Sequence, residues 1–240
     1  MSITITTWNV NSLKVRQPQV LDFLKETENS ILCLQELKMQ EADIDAAAFK
    51  EVGYTLDAFG QKTYNGVATI LRDPLTFLPD EEVRNINGYF PNGETVESEK
   101  FPYKLAWLEA LVQWLPSQLE EYPNLVLLGD FNIAPEDRDV WDPESWSESV
   151  LCTPKAREAF QRLIDLGLTD SFRAFEQPEK SYSWWDYRMM AFRRNRGLRI
   201  DHILISEALA SKNLGVEIHK KVRGNERPSD HAPVTLTLDL

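Results

Sequence analysis

Six acid, amide or imidazole side chains stand where apolar runs of the chain begin or end, and these residue types can hold a metal ion or move a proton. They are Asn9, Glu36, Asp130, Asn132, Asp230 and His231. The first four follow runs that are typical of strands, and the last two precede the alternating run at residues 234–238. Because α/β proteins place reactive groups at the ends of strands, we expect these six side chains to share one site.

The predicted set is dominated by oxygen donors. Carboxylate and amide oxygens are the ligands that Mg²⁺ and Mn²⁺ prefer, and the sequence lacks the cysteine or paired-histidine spacing of a zinc site. We therefore expect Mg²⁺ as the cofactor, with Mn²⁺ as an alternative.

A further acid, Asp201, lies inside the strand-like run at residues 198–205. Its neighbour His202 must point to the opposite face of a strand, so the two cannot serve one site. We expect Asp201 to pair with His231 instead, because a carboxylate that accepts from one ring nitrogen leaves the other free to act on a substrate oxygen. His202 and His219 are expected to be structural.

Composition indicates one α/β domain spanning residues 1–240, since 42% of the residues are hydrophobic and strand-like and helix-like patterns alternate along the chain. The N-terminal run at residues 3–8 shows neither a signal peptide nor a membrane span. The two cysteines, Cys33 and Cys152, are too few for a disulfide framework and indicate a reducing compartment. We expect a cytoplasmic protein that does not bind membranes.

The net charge of −12 opposes nucleic-acid binding at long range, but the positive charge is concentrated. Five arginines share one segment with four aromatic residues, Trp184, Trp185, Tyr187 and Phe192; the arginines are Arg188, Arg193, Arg194, Arg196 and Arg199. A basic and aromatic face on an acidic body is typical of a protein that binds an anionic polymer locally.

Several strings of the sequence resemble exonuclease III, of the endonuclease/exonuclease/phosphatase superfamily. In order, they lie at residues 8–13, 34–38, 87–93, 128–133, 183–188, 195–201 and 229–233. Gly-Asp-Phe-Asn and Ser-Asp-His are shared across the superfamily, whereas Tyr-Phe-Pro-Asn, Ser-Trp-Trp-Asp-Tyr-Arg and Arg-Gly-Leu-Arg-Ile-Asp are similar to the exonuclease III branch.

The resemblance implies a DNase I-like fold, a four-layer α/β sandwich in which two packed mixed sheets are flanked by helices. It implies that Glu36 is the principal Mg²⁺ ligand, with Asn9, Asp230 and His231 near the metal. It assigns Asp130, with Asn132, to the attacking water, with both residues also counted among the metal ligands. Tyr89 is assigned to the phosphate and Asp201 to the support of His231.

The implied substrate is double-stranded DNA with abasic sites or 3′ ends, and the implied protein is a monomer. The implied activity is cleavage 5′ to abasic sites, together with 3′→5′ exodeoxyribonuclease and 3′-phosphatase action in DNA base excision repair. The residues expected to contact DNA are Asn92, Trp184, Trp185, Arg188, Arg196, Leu198 and Ile200, of which Trp184, Leu198 and Ile200 would line a pocket for the abasic sugar.

The sequence departs from the family between residues 75 and 87, where a strand of the type Arg-x-hydrophobic-x-Ala is missing. Loss of a strand leaves unpaired edges, so we expect retained chemistry with reduced stability.

Two alternatives stay open at this stage. The chain could be another phosphoesterase of the superfamily, an RNase or a phosphatase. It could also be a non-catalytic remnant that binds abasic DNA, if the shortened sheet displaces Tyr89 or Glu36.

Overall fold

The computed structural model describes residues 2–73 and 83–240. The strands in this part of the chain are β1 (Ser2–Asn9), β2 (Ile31–Gln35), β3 (Tyr54–Phe59), β4 (Val67–Arg72), β5 (Arg84–Tyr89), β6 (Leu125–Asp130), β7 (Leu168–Asp170), β8 (Asp201–Ser206), β9 (Asn213–Ile218) and β10 (Val234–Asp239). The α-helices are α1 (Leu13–Thr27), α2 (Ala46–Glu51), α3 (Lys100–Glu121), α4 (Pro143–Trp146), α5 (Pro154–Asp165) and α6 (Glu207–Ala210).

The strands form two mixed sheets. The larger sheet has the order β3-β4-β2-β1-β10-β9, and the smaller has the order β5-β6-β8-β7. The pairs β1–β2 and β5–β6 are parallel, and the remaining pairs are antiparallel.

The alternation of side chains along buried strands sorts the core into layers. In β6, Val126 and Leu128 enter the core between the sheets, whereas Leu125 and Leu127 pack with residues of α3 and α5. In β2, Ile31 and Cys33 share the core between the sheets, while the alternate residues Leu32 and Leu34 pack with residues of α1 and α2. Helices thus cover both outer faces, and the predicted four-layer α/β sandwich is confirmed.

Two glycines let β5 and β6 approach closely just before the strands end. Gly88 and Gly129 are partners in the parallel register, and a Cβ on Gly129 would lie 1.9 Å from the carbonyl oxygen of Gly88. Gly129 also has a φ of +146°, which side chains rarely adopt. The pair therefore sets Tyr89 directly beside Asp130.

The missing strand predicted between residues 75 and 87 lies mostly outside the described residues. Within them, β5 begins at Arg84 and occupies one edge of the smaller sheet, paired with β6. The predicted loss of stability stays a prediction.

A buried ionic network lies beneath the end of β6. Arg199 is 1% exposed and donates to the carboxylates of Asp139 and Asp170, at 2.7 and 2.8 Å. Its third contact is Nδ1 of His202, at 3.0 Å, while Nε2 of His202 lies 2.8 Å from the carbonyl oxygen of Ile133. Nδ1 therefore accepts and Nε2 donates, so the imidazole is neutral.

This geometry predicts acid sensitivity. Burial and the charge of Arg199 lower the pKa of His202 from 6.5 to about 4. Because the folded-state pKa is below the unfolded value, protons favour the unfolded chain, so stability present above pH 6.5 is lost as the pH falls towards 4. The loss attributable to this residue is about 3 kcal/mol.

Urea unfolding of the protein and of His202→Gln between neutral and acidic pH measures this contribution. We expect the variant to be less stable at neutral pH but to lose less stability over this range. Equal losses in the two proteins would remove His202 as the sensor.

Candidate active site

The strand registers bring the predicted residues to one end of both sheets. Tyr89 pairs with Asp130 across β5 and β6, and Asp130 pairs with Asp201 across β6 and β8. In the other sheet, Asn9 ends β1 beside Gln35, so Glu36 follows at the same level. The two sheets therefore deliver their polar ends to a common centre.

The amide of Asn9 joins the two sheets at this centre. Its Nδ2 donates to Oε1 of Glu36 at 2.8 Å and to Oδ2 of Asp130 at 2.9 Å. Glu36 and Asn132 both have left-handed backbones, with φ of 54° and 51°. Strain of this kind is concentrated at functional sites, where surrounding contacts enforce it.

His231 is held between two carboxylates. Its Nδ1 lies 2.9 Å from Oδ2 of Asp201, so the predicted pairing is present, and its Nε2 lies 3.8 Å from Oδ2 of Asp130. Burial disfavours the charged ring, but Asp201 and Asp130 outweigh it and raise the pKa of His231 to about 10. The imidazole is therefore a cation that faces the centre through Nε2.

The pKa values of Asp130 and Tyr89 are also raised, which for these two groups favours the neutral form. Burial raises the pKa of Asp130, although the nearby His231 opposes the shift. Burial and the charges of Glu36 and Asp130 raise the pKa of Tyr89, whose phenol also hydrogen-bonds to Glu36. Tyr89 therefore remains a proton donor at any physiological pH.

Asp230 enters the centre from the segment before β10. Its Oδ2 accepts from Nε1 of Trp184 at 3.0 Å, and its Oδ1 accepts from Nδ2 of Asn11 at 2.9 Å. Burial opposes its ionisation, but His231 and these two donors lower its pKa overall. Asp230 is thus a fixed carboxylate.

The centre suits a hard divalent cation. Four acids, Glu36, Asp130, Asp201 and Asp230, surround it, and among the described residues Asp130, Asp201 and His231 form a group whose ligand atoms lie within 4.8 Å of one another. Since Asp201 already binds Nδ1 of His231, that trio is better explained as a hydrogen-bonded pair facing a carboxylate. Glu36 offers the more open carboxylate, with its side chain 17% exposed and Oε2 bound by the ammonium of Lys38 at 2.8 Å. The oxygen donors and the excess of negative charge fit a hard divalent cation.

Asn132 and Asn92 lie beside this centre. The backbone N–H of Asn132 donates to Oδ1 of Asp130 at 2.9 Å, and its side-chain amide donates to Oδ2 at 3.2 Å. Asn92 donates from Nδ2 to Oδ1 of Asn132 at 2.8 Å. The two amides therefore fix the Asp130 carboxylate and continue the polar surface beyond it.

The residues expected to contact DNA differ in how far they are buried. Trp184 is partly exposed, whereas Leu198 and Ile200 are buried beneath it in the same apolar cluster. Trp185 is fully buried, and its Nε1 donates to Asn195. In this conformation Trp185 and Leu198 have no exposed surface and Ile200 has almost none, so these three side chains support the surface around Trp184, and their contact with DNA stays a prediction.

The arginines of residues 188–199 also differ in how far they are buried. Arg188 is exposed, and Arg196 is partly exposed and stacks 4.6 Å above the ring of Trp141. Arg199, which the sequence placed on the basic face, is instead buried in the Asp139–Asp170 network. The basic face therefore depends on Arg188 and Arg193 to Arg196 rather than on the whole run.

Lys104 is a residue that the sequence reasoning missed. It is fully buried in α3, and its ammonium donates to the carbonyl oxygens of Asn92 at 3.1 Å, Asn132 at 2.6 Å and Val150 at 3.0 Å. Burial lowers its pKa to about 7. A signal was present, because Lys104 interrupts the apolar stripe of Phe101 and Leu108, three residues after one and four before the other.

The chain is similar to proteins whose family or activity is known. The model of the Endonuclease/Exonuclease/phosphatase family matches residues 6–231. Exodeoxyribonuclease III of Haemophilus influenzae is 34% identical, over 95% of this chain and 96% of that protein. The structure of the 3′ phosphatase NExo from Neisseria, a variant bound to a product DNA hairpin, aligns with a TM-score of 0.93 and 45% identity, over 99% of this chain and all of that one. An AP endonuclease from Archaeoglobus fulgidus aligns with a TM-score of 0.91 and 34% identity, again over 99% and 100% of the two chains.

The contacts of Lys104 generate a prediction. Lys104→Met keeps the length of the side chain but removes the donor from three carbonyl groups, so the loops that carry Asn92 and Asn132 should shift. Misplacement by about 1 Å can reduce turnover roughly 100-fold, and we expect a loss in kcat of about 10- to 100-fold. Steady-state kinetics of phosphodiester hydrolysis measure this loss in kcat.

Lys155→Met is the matched control, because Lys155 is exposed on α5. The control should retain full kcat. A folded Lys104→Met protein with unchanged kcat would show that the tether does not position the site.

Proposed function

The chain belongs to the Endonuclease/Exonuclease/phosphatase family, and from that membership and the geometry of the site we propose an exonuclease III-type DNA repair nuclease. The protein is a phosphodiester hydrolase. The observation that carries the proposal is the meeting of Glu36, Asp130 and His231 at the converging ends of two sheets.

Each residue has a role that its contacts support. Asp130, fixed by Asn9 and by Asn132, orients the attacking water and accepts its proton. His231, cationic and held by Asp201, directs Nε2 at a phosphoryl oxygen on which negative charge develops. Tyr89 donates its phenolic proton in a hydrogen bond to the same phosphate.

We propose Mg²⁺ as the cofactor, with Mn²⁺ as a substitute. Glu36 would hold it, with Asn9, Asp130, Asn132, Asp230 and His231 around it. When bound, the ion neutralises charge on the phosphate and on the leaving oxygen. Lys38, now against Glu36, balances part of the negative charge of the protein alone.

The proposed substrates are abasic sites and 3′ ends in duplex DNA. We place recognition of the abasic sugar at the partly exposed ring of Trp184, which packs over Leu198 and Ile200 and lies 6.0 Å from the ring of Trp146, because this apolar surface suits a sugar without its base. The similar AP endonuclease supports cleavage at such sites, and cleavage on their 5′ side is what the resemblance to exonuclease III implies. The similar exodeoxyribonuclease III and 3′ phosphatase support 3′→5′ exonuclease and 3′-phosphatase action.

The non-catalytic alternative required that Tyr89 or Glu36 be displaced. Tyr89 is in register with Asp130, and Glu36 is bound by Asn9, so that premise is not met. None of the helices in residues 2–73 and 83–240 has the length and apolar character needed to cross a membrane. A single domain, a monomeric state and a cytoplasmic location remain parts of the proposal.

A substrate panel tests the activity. We expect the protein with Mg²⁺ to cleave a duplex containing one tetrahydrofuran abasic analogue, to shorten a recessed 3′ end and to release phosphate from a 3′-phosphate terminus. An RNA duplex and a phosphoinositide should remain intact. Hydrolysis confined to either of those two substrates would overturn the proposal in favour of another phosphoesterase.

Asp130→Asn tests the proposed base. Loss of general-base action lowers rates by about 10²- to 10⁴-fold, and we expect a kcat loss in this range on all three DNA substrates. Asp165→Asn, at the end of α5, is the control and should retain the activity. An Asp130→Asn enzyme with more than a tenth of the original rate would assign the base elsewhere.

Metal binding gives a readout that is independent of turnover. At a Mg²⁺ concentration of a hundred times Kd, binding stabilises the fold by about 2.7 kcal/mol, which for this chain length raises Tm by roughly 5 to 10 °C. We expect EDTA to abolish the shift, Glu36→Gln to lose it and the exposed control Glu41→Gln to keep it. A shift that persists in Glu36→Gln would place the ion on other ligands.

A further inference from the structure

An open groove of about 940 Å³ adjoins the catalytic centre, between the β3–β4 connection and the start of α3. Tyr89 and Asn92, which belong to the centre, also line this groove. The groove is therefore continuous with the position at which a scissile phosphate would lie.

Three large aromatic side chains of the groove are exposed to solvent. Phe59 ends β3 and is 77% exposed, Tyr64 lies in the β3–β4 connection and is 67% exposed, and Tyr103 lies in the first turn of α3 and is 61% exposed. Aromatic rings usually contribute large buried areas to cores and interfaces. Three of them left in water around one groove indicate a binding surface.

The charges at the rim favour an anionic strand more than the net charge suggests. Glu94 is the acid of the groove, and it is paired with Lys100 at 3.0 Å and accepts from Ser98 at 3.0 Å. Lys62, in the same connection as Tyr64, is exposed. The acid that lines the groove is therefore neutralised, and Lys62 adds positive charge in the connection that carries Tyr64.

Flat rings and a short path to the phosphate centre suit nucleobases. A base stacks on an aromatic ring through its face, and that face is accessible only where the base is not already stacked in a duplex. Such stacking is tolerant of sequence, because every base has a π-face.

We propose that this groove binds unpaired nucleotides of the DNA strand that enters the catalytic centre, through stacking on Phe59, Tyr64 and Tyr103. The inference rests on the proposed nuclease function and names its preferred DNA structure, an end with unpaired bases. The groove then favours tailed or frayed ends over continuous duplex.

Fluorescence anisotropy in EDTA tests the groove without cleavage. The probes are three labelled duplexes of the same sequence: one blunt, one with a short oligothymidine 3′ tail and one with the same tail at the 5′ end. We expect one of the two tails to tighten binding by roughly 10-fold or more over the blunt duplex. The tail that gains also reveals the direction of the strand in the groove.

Three variants assign the gain to the rings. Phe59→Ala/Tyr64→Ala/Tyr103→Ala should bind the tailed duplex no better than the blunt one, whereas Phe59→Tyr/Tyr64→Phe/Tyr103→Phe keeps all three rings and should retain the preference. Phe175→Ala removes an aromatic side chain that is 40% exposed in a different cavity, and it should also retain the preference.

Equal binding of all three duplexes by the unaltered protein would overturn the inference, as would a tail preference that survives loss of all three rings. Cleavage of the blunt abasic duplex with Mg²⁺ separates the two proposals. A protein that cleaves this duplex but binds tailed and blunt duplexes equally refutes the groove proposal alone. A protein that binds tailed duplexes more tightly through these rings but cleaves no DNA refutes the nuclease function alone.

Discussion

The structure depends on one hydrogen-bonded amide at the place where the two sheets meet. Asn9 ends β1 of the larger sheet, and its Nδ2 reaches both Glu36 of that sheet and Asp130 of the smaller one. A primary amide has two N–H donors, so it can satisfy two carboxylates that would otherwise repel each other. The β-strand registers, the close approach at Gly88 and Gly129 and the inter-sheet core together place the three side chains within this reach.

Buried acids so close together are unfavourable for the folded protein on its own. Burial raises the pKa of Asp130, and the cationic His231 and Lys38 compensate only part of the charge around the centre. A site of this kind gives up stability for the ability to bind a cation and a phosphate. The backbone support comes from outside the acids, chiefly from Lys104, which ties three loops together through carbonyl groups that do not compete for the metal.

The sequence predicts the alternation of strands and helices and most of the centre, because strand periodicity and the position of acids after apolar runs are local properties, whereas the four layers are what the resemblance to the family implies. Asp201 could be paired with His231 because adjacent strand residues face opposite ways, and the pair is present. The burial of Trp185, Arg199 and Lys104 could not be predicted in this way. Each is buried by partners distant in the chain: Arg199 by Asp139, sixty residues away, and Lys104 by the carbonyl group of Val150. The sequence does not single out β3, β7 and β9, since β7 has only three residues and β3 and β9 are only partly buried.

The distribution of charge bears on which DNA structures such a chain can bind. With a net charge of −12, the body repels a long duplex, and each additional phosphate beyond the basic face adds to that repulsion. Binding then depends on short-range contacts: the divalent cation proposed for the centre, the exposed Arg188 and the rings proposed to stack bases, Phe59, Tyr64 and Tyr103. Contacts of this kind strengthen binding to a local distortion or a DNA end, where a sugar or a base is accessible. They add little affinity for undamaged duplex. An acidic body with a few aromatic surfaces is therefore a physically consistent way to keep a nuclease away from intact DNA.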